Sequence, residues 1–278
     1  MRIGIAGTES SHVDHIIDYL NVAGERPGAR VSALVAGDAE RTAALCDAGG
    51  IDEVVLTTEA LLDAADVLIV TARHGGGHRE LALPFLDAGR PVLVDKPFAC
   101  RVADAEAILE AADKHGALVT SFSAVRYVPA TNSLAAELDF IGPVRSVVAS
   151  GPADEASKYG GIFFYGIHPV DVAMRLAPGP VGEVRVDRVR ESIVASAMVG
   201  DARVTINLIK PAPEGPVPFH ALVVGRGGIA ARELPTDGNY LAPGLNAFLD
   251  MIEGTVAPLS REDLLRPIEF LEALDRAL

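Results

Sequence analysis

Short, continuous apolar runs alternate with amphipathic stretches from the start of the chain to about residue 123. The runs at 2–6, 31–35, 54–56, 66–71, 91–95 and 118–123 predict strands. Val67-Leu68-Ile69-Val70 and Val92-Leu93-Val94 lack any polar alternation, which fits strands covered on both faces in a parallel sheet. Between the first two strands Val13, Ile16, Ile17 and Leu20 fall at i, i+3, i+4 and i+7 and form one apolar helical face. Ser10 or Ser11 is available to cap that helix, and Gly24 to end it. This βαβ rhythm predicts a doubly wound parallel sheet over residues 1–123, a dinucleotide-binding Rossmann architecture.

After Pro129 the texture changes. Runs at 144–150, 181–189, 192–199, 203–210 and 219–224 read as strands, with few long helices between them. They predict an α+β domain over 124–278 with an open, mainly antiparallel sheet. Val204, Ile206 and Leu208 alternate with Arg203, Thr205 and Asn207, so one face is expected to be buried and the other more polar and available to another subunit. The tail at 245–252 and 261–278 has a helical period, with Ser260 and Asp263 as a near capping box.

Composition narrows the function. The 278 residues are 49% hydrophobic and 22% charged, enough to bury a large core. A net charge of −14 repels phosphate backbones and anionic lipid, which argues against nucleic acid or a membrane as partner. Cys46 and Cys100 show no ligand-like spacing, no basic apolar leader precedes the first strand, and no apolar run reaches membrane-spanning length; a cytoplasmic protein is expected.

Candidate chemistry lies directly after the strands of the first half, because open parallel sheets bind ligands there. The turn Gly7-Thr8-Glu9-Ser10-Ser11-His12 stands where a dinucleotide fold has G-x-G-x-x-G, and only Gly7 matches. Glu9 brings a carboxylate toward the pyrophosphate, whereas Ser10, Ser11 and the helix start offer donors to it. Asp38 either takes the adenosine ribose, favouring NAD over NADP, or starts the next helix. The glycine-rich turn from Thr71 to His78 either lines the nicotinamide space with His74 and His78 or is a surface loop. Lys96, between Asp95 and Pro97, is delivered by a strand into the crevice, where it can hydrogen-bond a substrate hydroxyl. Glu9, His12 and His15 share a face near a helix start, a rival metal site without standard spacing. No metal is expected.

Asp95-Lys96-Pro97 resembles the Glu-Lys-Pro signature of the Gfo/Idh/MocA oxidoreductases. Thr71-Ala72, His78 with Glu80, Arg126-Tyr127-Val128-Pro129, Ile141-Gly142-Pro143-Val144, and Gly160-Gly161 followed by Gly166 to Asp171 are similar to that family's segments in the same order. The segment 248–253 resembles its closing helix. The resemblance implies hydride transfer between NAD or NADP and a hydroxyl-bearing carbon of a sugar, cyclitol or related small molecule, in a homo-oligomer, a dimer or tetramer. It implies cofactor contacts from Gly7, Glu9, Ser10, Ser11, Asp38, Thr71, His78 and Lys96, and catalysis by Lys96 and His168. Arg126, Tyr165, His168, Asp171 and Lys96 would meet the substrate, with Asp171 orienting His168 one helical turn away. Where the family pattern often has an aspartate four residues before the histidine, this chain has Phe164, beside Phe163 and Tyr165 in an aromatic wall that stacks on a sugar face or is core. These departures leave open an alternative: a family member that has lost redox activity and acts as a small-molecule binder or lyase.

Overall fold

A computed structural model describes residues 1–213 and 215–278. The chain divides into two compact units: 1–99, 103–122 and 241–259 form the first, and 100–102, 123–240 and 260–278 the second.

The first unit is built on β1 (Arg2–Ala6), α1 (His12–Ile17), β2 (Arg30–Val35), α2 (Ala39–Gly49), β3 (Glu53–Val55), β4 (Val67–Val70), α3 (His78–Asp87), β5 (Val92–Asp95), α4 (Val102–His115) and β6 (Val119–Phe122). All neighbours pair in parallel in the order β3-β2-β1-β4-β5-β6. The order reverses between β1 and β4, the place where such sheets take ligands. Leu68, Ile69 and Val70 have no exposed surface, as their unbroken apolar run predicts, and each contributes about 1.5–3 kcal/mol by burial. Helix α1 is shorter than its apolar period implies. Its last turn passes into π geometry over Asp18–Val22, keeping Leu20 buried, and Gly24 leaves it at φ +64°. Ser11 holds the N-cap position without a side-chain cap bond, while Ser10 Oγ accepts from the His12 amide at 3.2 Å.

The second unit contains α5 (Pro129–Ile141), β7 (Val144–Pro152), α6 (Phe163–Leu176), β8 (Arg185–Val189), β9 (Ser192–Val199), β10 (Ala202–Ile209), β11 (His220–Gly225) and β12 (Ile229–Glu233). Its sheet runs β12-β11-β7-β10-β9-β8 and is antiparallel except for the β7–β10 pair. Val204, Ile206 and Leu208 are buried against the helical layer, and Arg203, Thr205 and Asn207 face the other way, as their alternation requires. Two elements were not read from the sequence. Helix α5 opens on Pro129 at its first position, where the missing amide costs nothing, and β12 is a short edge strand with little burial.

The chain then returns to the first unit as α7 (Ala242–Ile252), so 241–259 pack there rather than with the residues expected to form a continuous second domain. A side chain at Gly244 would put its Cβ 2.5 Å from the Phe122 ring, so that close approach needs glycine. Helix α8 (Arg261–Ala277) rejoins the second unit; Ser260 caps it, with Oγ accepting from the Asp263 amide at 3.1 Å.

Candidate active site

Among the described residues, each unit carries a cluster of buried polar side chains that includes sequence-predicted site residues. In the first, the cluster lies at the carboxyl ends of β1, β4 and β5. Gly7 ends β1 at φ +103°, and a Cβ there would sit 2.2 Å from the Ala72 amide nitrogen. The turns after β1 and β4 are therefore pressed backbone to backbone. Buried Thr71 closes them further, its hydroxyl donating to the Gly7 carbonyl at 2.7 Å. Glu9 is exposed, and its carboxylate accepts from the Arg73 amide at 2.9 Å.

His12 sits where a third glycine was expected, and its ring reaches across β4 to the end of β5. Its Nδ1 donates to Asp95 Oδ2 at 2.7 Å, and both side chains are nearly buried. Burial pushes the Asp95 carboxyl up, but the charge and hydrogen bond of His12, with Lys96 beside it, outweigh that and hold it at about 2. Lys96 is buried at 7% exposure. Burial pushes its ammonium pKa down, Asp95 opposes this, and Arg73 adds to it. His78 has no exposed surface, and its ring nitrogens lie 2.7 Å from the Pro97 carbonyl oxygen and 2.6 Å from that of Ala72. It thus ties the turn after β4 to the turn carrying Lys96; burial lowers its pKa, against the pull of the two carbonyls. The Lys96–Pro97 peptide is cis.

Asp38 is where the second of its two sequence readings put it. It is the N-cap of α2, with Oδ1 accepting from the Arg41 amide at 2.9 Å. The strand end itself offers Ala36 and Gly37 and no acid. The rival trio of Glu9, His12 and His15 does not converge: the Glu9 carboxylate lies on Arg73 and the His12 ring on Asp95, and no group of three potential ligands occurs among the described residues.

The second cluster joins the turn after β6 to α6. Asp171 was expected to orient His168; instead its Oδ1 accepts from Arg126 Nη1 at 2.7 Å and its Oδ2 from the Ser123 amide at 2.7 Å. The contact with His168 is made by Ser123, whose Oγ lies 2.7 Å from Nδ1. Arg126, Asp171, His168 and Ser123 are all at 5% exposure or less. Burial opposes the Arg126 charge, but Asp171 beside it holds the guanidinium above its ordinary pKa. Arg126 is therefore spent on Asp171 rather than presented as a substrate contact. The aromatic wall divides. Phe163 is core, whereas Tyr165 is 41% exposed, with its ring 4.8 Å from Phe164 and 5.9 Å from His168; Phe219 flanks the histidine at 5.1 Å. Ser123 is the functional candidate that the sequence did not mark.

Residues 1–123 match the sequence profile described as the oxidoreductase family with an NAD-binding Rossmann fold, GFO_IDH_MocA. The first domain is thus similar to the NAD-binding domain of the Gfo/Idh/MocA oxidoreductases. It is 36% identical over 110 residues to an inositol 2-dehydrogenase of Leifsonia xyli subsp. xyli, covering 40% of this chain and 32% of that protein. It is 28% identical over 219 residues to inositol 2-dehydrogenase 1 of Saccharopolyspora erythraea, covering 74% of this chain and 63% of that one. These matches span less than two thirds of either relative. The fold as a whole is shared with an apo scyllo-inositol dehydrogenase from Lactobacillus casei, with TM-score 0.87, 15% identity, and 100% and 96% of the two chains covered.

The first unit fits a dinucleotide. The strand order reverses between β1 and β4, where such sheets take ligands, and the turn after β1 keeps Gly7, which its packing against Ala72 demands. Glu9, the residue expected to repel a phosphate, is exposed and already hydrogen-bonded. At about 4 Å in water such a repulsion is on the order of 1 kcal/mol and weakens further with salt, which is too little to exclude a ligand held by many contacts.

Proposed function

We propose that the chain is an NAD- or NADP-dependent dehydrogenase acting on a hydroxyl-bearing carbon of a sugar, cyclitol or related polyol. The observation that carries this reading is Lys96: a buried ammonium directly after β5, one strand from the β1–β4 switch point and next in sequence to Asp95, which His12 holds. A desolvated lysine in that position is matched to an oxygen that gains and loses charge. The names of the two curated relatives supply the polyol class, and none favours a non-redox binder or lyase.

Bound nicotinamide supplies the acceptor or donor of hydride. The chain's own residues do the rest. The turn from Gly7 through Glu9, Ser10 and Ser11, with Thr71 and His78 behind it, would hold the dinucleotide; Asp38 acts through α2. Lys96 and His168 manage the proton and the charge on the substrate oxygen. Tyr165 offers an exposed ring face to the polyol. Arg126 and Asp171 act as positioning residues through Ser123. The half-polar outer face of the second sheet, around Thr205 and Asn207, is the surface we assign to a second copy in a dimer or tetramer.

Titration of the purified chain with NADH and with NADPH, read by nicotinamide fluorescence, should give a saturable signal with at least one. A flat response to both sinks the reading. On whichever polyol supports turnover, Lys96→Ala and His168→Ala should each lower kcat by roughly 10²–10⁴-fold.

A further inference from the structure

His168 is held by a residue that no motif marks. Ser123 has no exposed surface; its Oγ lies 2.7 Å from His168 Nδ1 and accepts from the Val125 amide at 3.1 Å. Its own amide donates to Asp171, whose other oxygen is taken by Arg126, so the serine backbone is fixed on both sides. A hydroxyl has one hydrogen to give and two lone pairs. With the Val125 amide on one lone pair, two arrangements remain. Either the hydroxyl donates to an unprotonated Nδ1 and its hydrogen is used, or a protonated Nδ1 donates to Oγ and the buried hydroxyl hydrogen is left without that acceptor. An unmade buried hydrogen bond disfavours the second by about tenfold or more.

We propose that Ser123 is the positioning residue of His168 and fixes the neutral ring in the tautomer that carries its proton on Nε2. This rests on the reading of His168 as the group that meets the substrate oxygen, and it sharpens that reading. The resting ring presents a donor rather than a lone pair, so it gives a hydrogen bond to the substrate oxygen. To take a proton from a substrate hydroxyl, Nε2 must first be vacated: its proton leaves to water, a proton from water enters at Nδ1, and the Ser123 hydroxyl rotates to accept from the new Nδ1–H.

The test reads the ring in the full-length, ligand-free chain. With isotopically labelled histidine, a long-range proton–nitrogen correlation above the ring's titration range reports which nitrogen is protonated; the His168 signals are those lost in His168→Gln. The expected pattern is a protonated Nε2 and a bare Nδ1, giving way to Nδ1–H or to averaging in Ser123→Ala. Nδ1–H in the wild type, or no change in Ser123→Ala, overturns the proposal. If Ser123→Ala does not fold, the wild-type spectrum decides alone. Since no cofactor or turnover is involved, the result stands or falls apart from the dehydrogenase assignment. In turnover, Ser123→Ala should lower kcat roughly 10- to 100-fold with little change in KM; an equal rise in KM would instead point to a general loosening of the substrate site and count against a tautomer role.

Discussion

Asp95 ties the stability of the first unit to pH. Its carboxyl is held at about 2, against an ordinary value of 3.8, so the folded state binds its proton less readily than the unfolded chain. The resulting stability is fully present above the unfolded value and is lost as pH falls through the folded one. The difference is worth roughly 2 kcal/mol, expected to disappear between about pH 4 and pH 2. Urea unfolding across that range should show the loss in the wild type and not in Asp95→Asn, which removes the titrating group; superimposable acid limbs would show that the His12 pair does not set the carboxyl. Gly7 is the opposite kind of residue, uncharged and irreplaceable on steric grounds. An alanine there meets the Ala72 backbone at 2.2 Å with φ at +103°, and neither turn can retreat while Thr71 holds them together. Gly7→Ala should cost roughly 3 kcal/mol or more in thermal unfolding and abolish any nicotinamide signal.

At the scale of elements, the turn after β6 is locked to α6 by one carboxylate serving two donors. Removing Arg126 leaves the Asp171 charge buried beside the Ser123 amide alone, and breaking such a pair costs about 3–5 kcal/mol. Arg126→Met should show that loss in denaturant melts, and an effect below about 1 kcal/mol would place the pair among weak surface bridges. The same elements show what the sequence can carry. Strands β4 and β5 were legible because burial on both faces leaves an uninterrupted apolar run, and β10 because burial on one face leaves an alternation. Lys96 was legible because a charged residue directly after such a run must lie at the sheet's ligand-binding edge. Helix α5 and strand β12 were not, since the residues around 129–141 were read through the Arg-aromatic-x-Pro motif alone and β12 buries little beyond Ala230 and its end. Asp38 showed both a ribose reading and a capping reading, and only backbone geometry separates them. Ser123 was invisible. A lone serine has no pattern, and its partners lie 45 and 48 residues away, brought to it by packing of α6.

For the molecule as a whole, charge governs the approach of a ligand. The chain carries −14, and a dinucleotide is itself an anion, so at long range the two repel. Arg73 and Lys96 near the proposed crevice act over a few ångströms, but the net field reaches as far as the Debye length allows. That length falls from about 30 Å at 0.01 M salt to about 8 Å at 0.15 M. Raising salt over this interval therefore removes repulsion before it removes any short-range attraction, and the association rate for NADH or NADPH measured by stopped-flow fluorescence should rise. A basic patch dominating the encounter would give the reverse, because salt would then screen attraction. A falling rate would mean that local positive charge at the ends of β4 and β5, not the acidic surface, steers the cofactor, and neutralising Arg73 by Arg73→Gln should then flatten the salt dependence.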